Sequence, residues 1–405
     1  MVRLTVGLGV VGITLGLVGV WAGANQQLSA APPQDWDAVA AAAYLDDRQA
    51  WWMGWPRAAR DHGTSCVSCH TTAPYALART ALRAAPTRTP SDVERRLFEN
   101  VETRVTAWQE VEPYYSDTEF RAGKSRESRG TESILNALIL TNRDAQAGAF
   151  TATTRQALEH LWELQVHVGE DAGAWPWLNF GLEPWETDAA QYFGASLAGI
   201  AVGTAADSYV SAARVQHGLA RLVTYLSGVA DSQHLFNRLH GLWATAVLED
   251  GLTALQQQAV ITDTLDLQRR DGGWSLSALG PFQRSDGTSL EPSSDGYATG
   301  LAVFVLQHAG VSREDERLMK GLDWLRAHQG VDGSWPASSL NKARRLGTAN
   351  SDVPAKTIRK VKSVGWSRFV QCQSAIARLP GVVAAVSRIS LRSCLRIRSR
   401  LRRER

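Results

Sequence analysis

The sequence predicts an all-α fold assembled from helix hairpins, and three observations carry that expectation. Apolar residues recur at helical spacing, as in Val93, Leu97, Val101, Val105 and Trp108. Amphipathic segments alternate with segments rich in small and apolar residues. A turn bearing Gly and Trp returns at Gly173-Ala174-Trp175, at Asp271-Gly272-Gly273-Trp274 and at Asp332-Gly333-Ser334-Trp335. The alternation repeats over roughly 50–60 residues, a period that signals stacked helix pairs, which close into a ring or stack into an open solenoid.

Taken in order, the amphipathic outer helices are expected over Asp92–Trp108, Thr153–Gln165, Ala212–Leu226, Gln256–Gln268 and Lys320–Gln329. The inner ones are expected over Thr131–Leu140, Thr187–Gly203, Leu239–Leu248 and Asp295–Ala309. Ala and Gly on the inner helices let backbones approach closely at a crowded centre. A short helix is expected at Pro74–Arg79.

Ahead of this region stands Cys66-Val67-Ser68-Cys69-His70. C-x-x-C-H is the spacing of covalent c-type haem attachment. Two thiols on one tight turn can each add to a vinyl group of the same porphyrin, and the adjoining imidazole can ligate its iron. A dithiol redox pair, half of a zinc site and coincidence compete with that reading. The adjoining His and the lack of a βαβ pattern weaken the redox pair. A structural zinc needs four ligands, and no second Cys pair lies nearby. Residues 25–90 are therefore expected to form a short haem-binding segment with one haem c, held by Cys66 and Cys69, with His70 as metal ligand. The second axial ligand is open. Cytochromes c commonly use a downstream Met, but the next Met after the motif is Met319, which leaves Met53, His62, a His of the larger domain, or none. Trp36, Trp51, Trp52 and Trp55 either wall a haem face or form a local core.

The first residues support export. Arg3 precedes an apolar run from Leu4 to Trp21, and Ala22-Gly23-Ala24 follows, the anatomy of a secretory signal peptide over residues 1–24. The run is long enough for an uncleaved membrane anchor to remain an alternative. Haem is attached to C-x-x-C-H outside the bacterial cytoplasm, so the expected location is the periplasm, free or anchored. Four Cys among 405 residues are too few for a disulfide scaffold.

The net charge of +3 hides a split. Residues 342–405 carry 17 Lys or Arg against 2 Asp or Glu, a net +15, which leaves 26 basic and 38 acidic residues, a net −12, for the rest. A basic tail of this kind is an arm for phosphate-bearing surfaces, a solvated tail, or a translation in the wrong frame replacing the last repeat. Loss of pattern, the jump in charge and the new Cys372 and Cys394 coincide at this point and favour the last; no specific nucleic-acid partner is expected.

The stretch Lys320-Gly321-Leu322-Asp323-Trp324-Leu325 through Gln329 and Gly333 to Trp335 resembles the QW repeat of squalene and oxidosqualene cyclases. Gln268 to Trp274 matches its second half and Gln165 to Trp175 is a looser copy. In such a turn the Gln amide can cap a neighbouring helix while the Trp stacks over it. The resemblance covers roughly residues 90–341. It implies the α/α toroid of the terpenoid cyclase and protein prenyltransferase superfamily, and bacterial proteins that join this repeat to a c-type haem motif.

The family's chemistry does not carry over. The Asp-x-Asp-Asp acid motif of class II cyclases and the Asp-Cys-Thr-Ala-Glu form are absent. No Cys lies between Cys69 and Cys372 to complete a prenyltransferase zinc set. Asp188 and Asp295 open expected inner helices near Tyr192 and Tyr297, as proton donors or as helix caps. Trp177, Trp185 and Glu186 line a mouth or cover helix ends, and Glu132 sits where it favours a helix dipole. The expected function is electron transfer or haem-dependent redox chemistry, with a redox partner protein and an isoprenoid-like hydrophobic ligand as candidate partners. A non-redox cyclase-like enzyme and a hydrophobic-ligand or protein-binding module are the alternatives.

Overall fold

The computed structural model describes residues 36–82, 89–284 and 286–337. The expected leader over 1–24 and basic tail over 342–405 lie outside the described residues. The described chain is helical: α1 (Ala38–Met53), α2 (Thr72–Arg79), α3 (Asp92–Thr106), α4 (Lys124–Ala147), α5 (Ala152–Glu163), α6 (Ala190–Thr204), α7 (Asp207–Val210), α8 (Ala213–Val229), α9 (Leu235–Leu248), α10 (Ala254–Asp266), α11 (Gly296–His308) and α12 (Glu316–Ala327). Extended pairing among the described residues is confined to isolated bridges. None of the described helices is long and apolar enough to cross a membrane.

Two classes of helix separate by burial. α6 is buried from Tyr192 through Val202 and α11 from Gly296 through Leu306, with no polar face. α6 packs between α4 and α9, α9 touches α11, and α2 lies on α4. Small residues make these contacts close: a Cβ at Gly203 would stand 2.8 Å from the backbone of Val247 and Leu248. The amphipathic helices bury one stripe each, such as Leu318, Gly321, Trp324 and Leu325 on α12. They cover the inner series, α8 on α6, α10 on α9, and α12 on α11.

Boundaries differ from expectation where polar residues are buried. α4 starts at Lys124 instead of Thr131, because Lys124 and Ser128 are buried on hydrogen bonds that sequence periodicity reads as a polar interruption. α6 starts at Ala190, after the Thr187-Asp188 expected to open it.

The three Gln–Trp turns share one design. Gln165 Nε2 donates to the carbonyls of Gly173 and of Gly218 on α8, at 3.2 and 3.0 Å. Gln268 Nε2 donates to Gly272 and to Arg317 on α12, at 2.8 and 2.6 Å. Gln329 Nε2 donates to Gly333 and to Asp37 ahead of α1, at 3.3 and 3.0 Å, and Asp37 N returns a bond of 2.7 Å to Gln329 Oε1. The Trp, expected to stack over the Gln, is fixed by its indole N–H instead. Trp175, Trp274 and Trp335 donate to Leu161, Thr264 and Leu325, carbonyls in the last turns of α5, α10 and α12. Thus α1 stands toward α12 as α8 stands toward α5 and α12 toward α10. Trp36 and Trp335 add a ring contact at 6.5 Å.

The described residues fall in one compact unit, with α1 packed on α2 and α3. The C-x-x-C-H motif lies in the connection between α1 and α2.

Aromatic side chains pack the interior. His240 lies between Phe193 and Phe236, with ring centroids at 4.7 and 4.6 Å. Its Nδ1 donates to the Phe236 carbonyl at 2.8 Å, and Nε2 has no partner. Desolvation pushes its pKa down to about 4.

Two outcomes test this packing. Gly333 has φ +80°, and a Cβ there would meet the Ala40 carbonyl oxygen at 2.2 Å; Gly310 has φ +84° with open space around it. Gly333→Ala is expected to lower unfolding free energy by about 2–4 kcal/mol, and Gly310→Ala by about 1 kcal/mol, in denaturant titrations. Because the folded His240 binds its proton more weakly than the unfolded one, its contribution is present above pH 6.5 and is lost as pH falls toward 4. Relative to wild type, His240→Leu is expected to flatten the fall in stability across that window by about 3 kcal/mol.

Candidate functional site

The site is built on the loop from α1 to α2. Arg60 N donates to Thr64 O at 2.7 Å and Cys66 N to Ala58 O at 2.8 Å, so the loop folds back on itself before the motif. His62, at φ 55°, and Gly63, at φ 67°, turn its tip. Ser68 then organises the motif. Its Oγ accepts the amides of His70 and Thr71 at 3.2 and 3.1 Å and lies 3.0 Å from His70 Nδ1. Trp52 is buried, donates its indole N–H to the Cys66 carbonyl at 2.8 Å, and meets the His70 ring edge-on at 6.0 Å. Trp51 and Trp55 stack beside it at 5.8 Å. The tryptophans therefore pack as a cluster against the motif.

α3 and α4 hold the loop from the other side. Asn100 accepts Ser65 N at 2.6 Å and donates to Ser65 O at 3.1 Å. Arg104, fully buried, forms a two-point pair with Glu132, with Nη2–Oε2 at 2.9 Å, and donates to Thr64 Oγ1 at 2.9 Å and to Glu112 O at 3.2 Å. Sequence reasoning placed Glu132 only near a helix start and missed Arg104. The available signal was a basic residue inside the apolar stripe of Leu97, Val101 and Val105.

The third wall comes from the connection between α5 and α6. Glu186 is fixed by paired backbone bonds with Leu182, at 2.8 and 3.1 Å. The neighbouring Trp185 accepts the Trp177 indole N–H at its carbonyl, at 2.8 Å, and meets the Tyr297 ring edge-on at 5.6 Å. This seats Glu186 against the motif: its carboxylate, the Cys69 thiol and a His70 ring nitrogen lie within 4.8 Å of one another. Glu186 is 6% exposed. Among the described residues its carboxylate has no hydrogen-bond or ion-pair partner. Burial pushes its pKa up to about 8, opposed by the charge of Lys124. Lys124 is itself held by Glu127 and the Asn179 carbonyl.

Both motif cysteines are free. Burial pushes the Cys66 thiol up to about 12, and Arg104 offsets this in part. Cys69 is raised well above its ordinary value by burial and then by Glu186. A redox dithiol works through a thiolate of lowered pKa, the opposite of what this loop imposes. A small hollow, open on one side, lies against Cys66 and Val67, with Tyr114, Tyr115, Ser128, Glu132 and Leu178 as its walls.

The other expected site residues lie elsewhere. His62 is on the exposed loop tip, 3.8 Å from the Glu110 carboxylate. Met53 ends α1, packed on the core. Asp188 is exposed and accepts Asn179 Nδ2 at 2.6 Å. Asp295 is buried and caps α11, accepting Ala298 N at 2.8 Å and Leu276 N at 2.7 Å. Burial raises it to about 6 against those amides. Asp295 thus has the contacts of a helix cap, and Asp188 those of a surface loop.

No family model matches the chain, and no curated protein matches it.

Removing one member of the buried pair tests how the loop is supported. Glu132→Gln leaves the Arg104 charge uncompensated and is expected to cost about 3–5 kcal/mol in chemical denaturation. The double change Arg104→Met with Glu132→Leu is expected to cost less than Glu132→Gln alone.

Proposed function

We propose that the chain is an exported c-type haem protein, acting in electron transfer or haem-dependent redox chemistry. In this reading an α/α toroid of the terpenoid-cyclase type carries one covalent haem on its α1–α2 connection. The toroid reading is supported by the outer series: α1, α3 and α5 pack in turn, Gln165, Gln256 and Gln268 bond α5 to α8, α8 to α10 and α10 to α12, and the Gln329–Asp37 bonds return to α1. The haem reading is carried by the motif loop: two unbonded thiols and an imidazole gathered on one turn.

That donor set fits the group. Cys66 and Cys69, both unbonded and two residues apart, would hold the group through two thioether links. Ser68 holds His70 Nδ1, which assigns metal ligation to Nε2. Trp52 fixes both the first cysteine's carbonyl and the ring of His70. When bound there, haem supplies a one-electron couple. Arg104, paired with Glu132, anchors the loop at Thr64, and the exposed loop tip at Asp61 and His62 would give a redox partner protein an approach. The cyclase alternative has less support: Asp295 is occupied as a cap, Asp188 is exposed, and aromatic rings pack the interior. The same packing leaves an isoprenoid ligand without support in the interior. Export, and membrane association through the N-terminus, rest on the sequence anatomy of residues 1–24.

Expression with a periplasmic haem-maturation system is expected to give a pyridine haemochrome of haem c and a polypeptide heavier by one haem. Cys66→Ser and Cys69→Ser together should abolish both signals. Recovery of the wild type at apo mass, with both thiols open to alkylation, refutes the reading.

A further inference from the structure

We propose that Glu186 is the second protein ligand of the iron that His70 holds; this rests on the haem reading above. The first support is position. Glu186 comes from a different hairpin, yet its carboxylate lies within 4.8 Å of both the Cys69 thiol and a His70 ring nitrogen. Two donors that share one ion, each about 2 Å from it, stand about 4 Å apart when opposed. The observed spread of 4.8 Å or less is close to that separation.

The second support is the state of the carboxylate. A carboxylate that is 6% exposed and has no hydrogen-bond or ion-pair partner among the described residues is costly to keep. Lys124, whose charge acts on Glu186, is engaged by Glu127 and Asn179. A metal cation at His70 supplies the missing counter-charge. The third support is rigidity. The backbone pairing of Leu182 with Glu186, and the Trp177–Trp185 bond beside it, fix the backbone from which the carboxylate projects. By contrast His62 pairs with Glu110 on the loop tip, and Met53 packs on the core.

An anionic oxygen ligand favours ferric over ferrous iron, and small external ligands displace it readily. The inference is tested on the full-length holoprotein, comparing wild type with Glu186→Gln and Glu186→Met after covalent haem has been verified by haemochrome. Wild-type ferric protein is expected to show an oxygen-ligated, high-spin signature by absorption and electron paramagnetic resonance. Glu186→Gln should keep its covalent haem, shift that signature, raise the midpoint potential and bind cyanide at least tenfold faster. Glu186→Met should give a thioether-to-iron charge-transfer band and a higher potential. A loaded Glu186→Gln protein with unchanged spectrum and potential overturns the inference and leaves the haem reading standing. A bis-imidazole or thioether signature in the wild type overturns it without recourse to any variant. Absence of covalent haem from the wild type overturns the underlying reading, and the inference with it.

Discussion

The buried pair of Arg104 and Glu132 is the constraint on which the site depends. An unpaired guanidinium inside a protein is costly, so the surroundings of Arg104 must present acceptors at fixed places. They do so from three segments: Glu132 on α4, the Glu112 carbonyl after α3, and Thr64 in the motif loop. One charge thereby registers two helices and the loop that carries Cys66. Asn100, one helical turn earlier on α3, brackets the next loop residue, Ser65. The motif reaches its partners already shaped.

The Gln–Trp turns work on a larger scale by the same logic. Each turn ends an outer helix, satisfies its last carbonyls with an indole N–H, and spends its Gln amide on a different outer helix. The glycine in each turn is required by contact as much as by dihedral angle. At Gly173 and Gly333 the φ angles are +105° and +80°, and the next helix's carbonyl oxygen stands 2.2 Å from where a Cβ would be. The repeat is therefore a spacer that sets how closely successive outer helices approach.

What could be read from sequence is what depends on local spacing. The helical class, the alternation of inner and outer helices, the C-x-x-C-H loop and the recurrence of the turns all follow from residues close in the chain. The unread parts join distant segments. Nothing near Glu186 signals a meeting with Cys69, because the two belong to different hairpins. The early start of α4 was hidden because Lys124 and Ser128 mark solvent in a periodicity argument, yet here they are buried on polar partners. The indole of each turn also escaped, since the carbonyl it bonds is set by how its own helix ends. Asp295 was readable as a cap, and its oxygens are used as one.

The position of α1 has a consequence for how the molecule opens. It shares hydrogen bonds with the turn after α12 and packing with α2 and α3, so it belongs to the beginning and the end of the helical series at once. Fraying of the final repeat would strip cover from the hairpin that carries the C-x-x-C-H motif, and loosening of that hairpin would release the final repeat. Amides in α1 and α12 should therefore exchange with solvent water as one cooperative block, even though nearly the whole described chain separates them.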